Sequence, residues 1–182
     1  MKLSGSKKIV VCGLVSALCT AIIIMYEIIP VGMYILPAIS GIIILAMAIE
    51  FGFKCGLEIF LITSVLSLML SGDKSAAIFF IILFGYYPLL KIKIETLKLN
   101  MNIVKLAIKL AVFNLAIILE YWISIKLFGV PEESLMLFGI YMPHVLLIMA
   151  NITFLMYDRC IIICMYVYVH KIRGKIFSKL KL

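Results

Sequence analysis

Long unbroken apolar runs, rather than an alternation of apolar and polar positions, organise this chain. Six of them lie near 9–29, 33–50, 53–71, 75–90, 102–128 and 143–169. Runs of about 17 to 25 mostly apolar residues have the length of a helix that crosses the hydrocarbon layer of a bilayer. In lipid a backbone must satisfy its own polar groups, which a helix does within one segment. The pattern therefore predicts an all-α, polytopic membrane protein with six transmembrane helices in a single integral domain over 1–182. The breaks carry turn chemistry: Pro30 and Gly32, then Gly52, then Ser71-Gly72-Asp73-Lys74, then Gly129, Pro131, Glu132 and Glu133. Tyr86, Tyr87 and Pro88 are expected to end or kink the fourth span, with the two phenols at the cytoplasmic headgroup level.

Composition agrees. The 182 residues are 65% apolar and 14% charged, with a mean hydropathy of +1.24, whereas soluble domains are about half apolar and a quarter charged. The net charge of +8 first suggests nucleic acid, but the basic residues sit in short junctions between apolar runs instead of forming one basic face, so no nucleic-acid partner is expected. Lys2, Lys7, Lys8, Lys54, Lys91, Lys93, Lys98, Lys105 and the tail from Lys171 to Lys181 fall on one side of the predicted spans. Lys109 is close enough to that side to snorkel. Lys74 and Lys126 fall on the other side, with Asp73, Glu132 and Glu133. The positive-inside rule then places both termini and the 91–105 loop in the cytoplasm of a multi-pass cell-membrane protein. The first run begins like a signal peptide but has no small-x-small cleavage pattern near its end, so it is expected to remain as a helix.

Polar groups inside apolar runs point to function. Asn114, Glu120, Tyr121 and Trp122 lie on the fifth run. His144, Asn151 and Asp158 lie on the sixth at intervals of seven, which places them on nearly one stripe. Two such stripes on adjacent helices can line a cavity, with His144 and Tyr121 near its mouth and Asn114 and Asn151 at mid-depth. The asparagines can equally bond across the bundle, and Tyr121 and Trp122 can form an interfacial belt. Arg159 is expected in a structural ion pair with Glu50 or Glu58.

Cys12, Cys19, Cys55, Cys160 and Cys164 form no C-x-x-C. Although Cys160 and Cys164 share a helix face, no histidine completes a metal set. The cysteines are expected to be reduced packing residues, with no metal and no cofactor. The chain has no H-E-x-x-H, Walker A or G-x-S-x-G motif, and no nucleophile with a base beside it, so an enzyme is not expected.

On the first helix, "GLVSALCTA" sets Gly13, Ala17 and Ala21 four residues apart, a line of small residues that lets another helix approach closely. Six short helices in about 180 residues, with both ends inside and this line on helix one, resemble the substrate-binding S components of energy-coupling factor transporters. The segments "AIEFGFKCGLEIFLITSVLSLMLSGDKSAAIFFIILFGYYPLLK" (48–91) and "NITFLMYDR" (151–159) are also similar to a group of uncharacterised membrane proteins from Gram-positive bacteria. The resemblance implies that the chain captures a vitamin-like small molecule on its outer face. Gly13, Ala17 and Ala21 would dock on a membrane coupling protein joined by two ATPase subunits. The segment "YEIIPVGMYILP" (26–37) would act as a lid. By position, the pocket would draw on Lys74, Asn114, Glu120, Tyr121, Trp122, His144 and Asn151. The competing expectation is a scaffold protein of the cell-envelope machinery without a small ligand, its basic tail "HKIRGKIFSKLKL" (170–182) meeting a cytoplasmic partner or anionic lipid.

Overall fold

In the computed structural model, residues 5–29, 32–96, 102–128, 136–137, 140–141 and 143–173 are described. For some of these, including Glu120, Tyr121 and His144, the description covers the backbone alone. Helices α1 (Gly5–Ile24), α2 (Ile35–Phe51), α3 (Phe53–Leu70), α4 (Ser75–Phe79), α5 (Tyr87–Thr96), α6 (Asn102–Phe128) and α7 (Pro143–Val167) account for nearly all of it. A minimal antiparallel ladder pairs β1 (Met136–Leu137) with β2 (Ile140–Tyr141). The all-α class is thus observed. Among the described residues, four helical segments are long and apolar enough to cross a membrane: Lys8–Glu27, Phe53–Leu70, Ser75–Thr96 and Leu147–Lys171. Helix α2 is apolar but shorter, at 17 residues.

The chain divides into two compact units. The first holds Met1–Ile92 and Cys160–Leu182, the second Lys93–Arg159. The first unit is built inside out relative to a soluble domain. Helix α1 turns Cys12, Ser16, Cys19, Thr20 and Ile23 inward and leaves Ile9, Val10, Leu14 and Leu18 exposed. Helix α3 likewise buries Cys55, Gly56, Ile59, Thr63, Ser64 and Ser67 while Leu61, Val65, Met69 and Leu70 face out. Small and hydroxyl side chains between helices, with branched aliphatics outside, suit a solvent of hydrocarbon, where close backbone approach replaces the hydrophobic effect as the packing force. The hydroxyls are satisfied locally: Ser16 donates to the Cys12 carbonyl and Thr20 to the Ser16 carbonyl, each at 2.8 Å. Ser40 of α2 reaches the Cys19 carbonyl at 3.3 Å and its own Leu36 carbonyl at 3.1 Å, which ties α1 to α2.

One glycine joins α2 to α3. Gly52 has φ +92°, a conformation that L side chains rarely adopt, and its N–H closes α2 on the Ala48 carbonyl at 3.0 Å. The two helices then lie close: a Cβ at Gly56 would stand 2.7 Å from the Ala48 Cβ and 2.8 Å from Leu89 Cδ2.

The fourth span differs from the sequence expectation. The apolar segment does not end near residue 90 but runs as Ser75–Thr96. Its break comes earlier, as a π-turn over Phe80–Phe84, where the Gly85 N–H reaches the Phe80 carbonyl five residues back at 2.6 Å. Pro88 has no N–H to offer the carbonyl four residues behind it, and the ladder loosens just ahead of that gap. Around the proline the helix is packed against protein: Tyr87 is 2% exposed, Pro88 is fully buried, and Lys91 is 5% exposed on α5. These residues pack into the first unit because the helix continues past the proline.

Candidate functional site

In the second unit, α6 and α7 run antiparallel and meet through three pairs. Asn114 and Asn151 exchange amide hydrogen bonds at 3.1 and 2.9 Å. Each Nδ2 also donates to the carbonyl four residues back, Leu110 at 2.9 Å and Leu147 at 2.8 Å. Both protons of each amide are therefore engaged. One turn on, Phe113 and Phe154 stack with centroids 4.1 Å apart and planes 19° apart. At the next level Lys109, whose side chain is 6% exposed, bonds Glu95 at 2.6 Å and approaches Asp158 at 3.6 Å. Lys105 adds a bond to the Glu95 carbonyl at 3.1 Å.

This ladder has a simple origin in sequence. Residues 109, 113 and 114 fall on one face of α6, and 151, 154 and 158 on one face of α7, because steps of three, four and seven return to the same side of a helix. A buried ammonium needs a partner, and removing it from water is tolerable only when carboxylates neutralise it. The arrangement locks α6 to α7. It leaves each asparagine Oδ1 with one further accepting lone pair, so a donor group on a ligand has two places to bond without breaking the amide exchange.

Asn114 and Asn151 face each other, and their mutual bond is the bond across the bundle that the sequence offered as the alternative to a cavity lining. Trp122 stands 58% exposed on α6. The side chains of Glu120, Tyr121 and His144 lie outside the described residues. Lys74 is exposed in the first unit, directly before α4. The expected pairing of Arg159 with Glu50 or Glu58 is corrected. Asp158 faces Lys109, and Glu50 accepts a bond from Arg173 at 2.9 Å with the Tyr168 hydroxyl at 3.4 Å, while Arg159 is exposed. Lys109 does not snorkel away, because Glu95 and Asp158 hold its ammonium within the unit.

The segment 26–37, which the resemblance would make a lid, is fastened to the turn before α4. The Gly72 N–H donates to Glu27 Oε1, and Tyr34 meets Phe79 edge-on at 4.8 Å. Asp73 Oδ1 accepts the Ser75 N–H at 2.9 Å. Hydrogen bonds from Ser75, through its side chain and its backbone, hold the Asp73 carboxyl below its usual range. Partial burial opposes this, and a bond from the Tyr26 hydroxyl adds to it. Lys74 is therefore presented by a turn that Glu27 and the start of α4 fix in place.

The first helix presents the small-residue line outward. Gly13, Ala17 and Ala21 are exposed, and among the described residues no atom lies within 4 Å of a Cβ built on Gly13. An apolar groove between α2 and the end of α7 is lined by Leu45, Ile49, Ile163, Cys164 and Tyr168. Its almost wholly apolar lining suits an acyl chain better than a polar solute. Cys12, Cys55 and Glu58 are the described residues that could hold a metal, their ligand atoms all lying within 4.8 Å of one another. Sequence reading missed this group because 43 positions separate the two cysteines. In comparisons with known proteins, no family model, no curated protein and no solved structure matched this chain.

Proposed function

We propose that this chain is the substrate-binding membrane subunit of an uptake system. It crosses the membrane six times with both termini inside, captures a vitamin-like small molecule from the exterior, and passes it on when a separate coupling protein and two ATPase subunits supply the work. The observation that carries the reading is the outward face of α1. Gly13, Ala17 and Ala21 form a smooth line beside exposed Leu14 and Leu18, while the opposite face of the same helix is packed. Small residues in line permit helix–helix contact at short range, and here they are left for a second protein. The solute would enter where α6 and α7 continue beyond the Asn114–Asn151 pair. The same antiparallel register, carried outward, would set the levels of Glu120 and Tyr121 alongside that of His144, with Trp122 as a further contact.

The scaffold reading draws support from the same ladder, since the Asn114–Asn151 and Lys109–Asp158 contacts already consume much of the polar chemistry. Affinity purification of the tagged chain from its native membrane separates the two. The uptake reading expects a membrane coupling protein and ATPases to co-purify, and Ala17→Leu with Ala21→Leu to abolish that assembly while leaving the isolated subunit folded. Assembly and uptake unchanged in this double variant would remove the docking face from the account.

A further inference from the structure

We propose that Cys12, Cys55 and Glu58 form a binding site for one thiophilic divalent cation, with Zn²⁺ the ion that fits the donor set. Cys12 lies on α1, and Cys55 and Glu58 stand one turn apart on the same face of α3. The two sulfurs and a carboxylate oxygen are mutually within 4.8 Å. Donor atoms around tetrahedral zinc lie roughly 3.5–3.8 Å apart, given Zn–S of about 2.3 Å and Zn–O of about 2.0–2.2 Å. Small side-chain rotations bring this group to that spacing without moving either helix.

The donors choose the ion. Two thiolates and one carboxylate suit a borderline-soft metal, whereas magnesium and calcium require six or more oxygens. Three protein ligands leave a fourth position for water or an incoming group. Burial is graded in the same sense: Cys55 is 0% and Cys12 4% exposed, while Glu58 reaches the surface and marks the path of entry.

Charge closes the case. On binding, both thiols release their protons to solvent, so the three ligands carry three negative charges. A divalent ion leaves one. Lys8, one turn before Cys12 on the same face of α1, is the cation placed to offset the remainder. A neutral assembly is what a low-dielectric location tolerates. The frame is rigid, since Gly56, next to Cys55, sits hard against Ala48 and Leu89, and Ile59 is fully buried one turn on.

The test uses the full-length chain in detergent, reduced, titrated with Co²⁺ as a spectroscopic stand-in and with Zn²⁺ against a chromophoric chelator. The wild type is expected to take up one ion per chain, with a near-ultraviolet thiolate-to-cobalt band and tetrahedral d–d bands that Zn²⁺ displaces. Cys12→Ser or Cys55→Ser should abolish the thiolate band. Glu58→Gln, an exposed change that spares the fold, should weaken Zn²⁺ binding by about tenfold or more. The double variant Cys160→Ser/Cys164→Ser should bind like the wild type. The proposal is overturned if the wild type shows no thiolate band after reduction, as expected of cysteines that merely pack or form a disulfide. Loss of the band in the Cys160/Cys164 variant instead would also overturn it.

Discussion

Asn114 and Asn151 donate to each other across α6 and α7, at 3.1 and 2.9 Å, and each also bonds its own helix one turn back. The pair acts as a two-sided clasp in which neither amide has a spare proton. Asn114→Ala and Asn151→Ala are each expected to destabilise the detergent-solubilised chain by about 0.6–2 kcal/mol. The double variant should lose less than the sum of the two. Thermal unfolding of the three variants measures that coupling, and strict additivity would show that the amides act independently.

Lys109 sits between Glu95 and Asp158, but the two carboxylates differ in surroundings: the Glu95 side chain is 48% exposed and that of Asp158 8%. Removing one partner of a buried pair strands a charge and costs about 3–5 kcal/mol, whereas an exposed partner is worth about 1 kcal/mol or less. Lys109→Met should therefore be the most damaging single change in this network and Glu95→Gln the mildest. Restoring stability by adding Asp158→Asn to Lys109→Met would identify the stranded carboxylate as the cause.

Asp73 gives the turn before α4 a defined response to acid. Its folded-state pKa is depressed, chiefly by the Ser75 hydrogen bonds, so its contribution is fully present above the unfolded value of about 3.9 and is lost as pH falls through the folded value. Asp73→Asn should lower the melting temperature modestly at pH 7, because the carboxylate is exposed and well screened. The difference should persist to about pH 5 and fade below about pH 4. A gap between wild type and variant that instead widens in acid would contradict the assigned bonds.

Two glycines on helical segments have opposite expectations. A Cβ at Gly85 would lie 2.7 Å from Phe60 Cε2 and 2.8 Å from the Phe80 carbonyl oxygen, whereas the same atom at Gly13 meets nothing within 4 Å among the described residues. Gly85→Ala should destabilise by about 1–3 kcal/mol through overpacking. Gly13→Ala should be neutral or stabilise by up to about 1 kcal/mol through helix propensity. Parallel melting curves decide this, and equal effects at the two positions would mean that the π-turn packing is not as described.

Hydrophobic run length made the helices legible before the structure, because lipid-length apolar segments have few alternatives. The boundary at the fourth span was not legible. Pro88 reads locally as a stop, yet Phe80–Phe84 absorbs the missing hydrogen bond upstream and the helix continues to Thr96. The meeting of Asn114 with Asn151 could be anticipated from heptad spacing. The approach of Lys109 to Asp158 could not, since it depends on the rotation of α6 against α7. The Cys12–Cys55–Glu58 group depends on the α1–α3 pairing, to which no local pattern in the sequence points.

The uptake reading stands most directly on whether the chain carries a solute. Native mass spectrometry of the protein released gently from its own membrane is expected to show one small polar molecule bound per chain, lost when Asn151→Ala is combined with His144→Ala in a still-folded protein. A chain that flies bare of any such molecule, and gains none from an extract of its growth medium, would contradict the account.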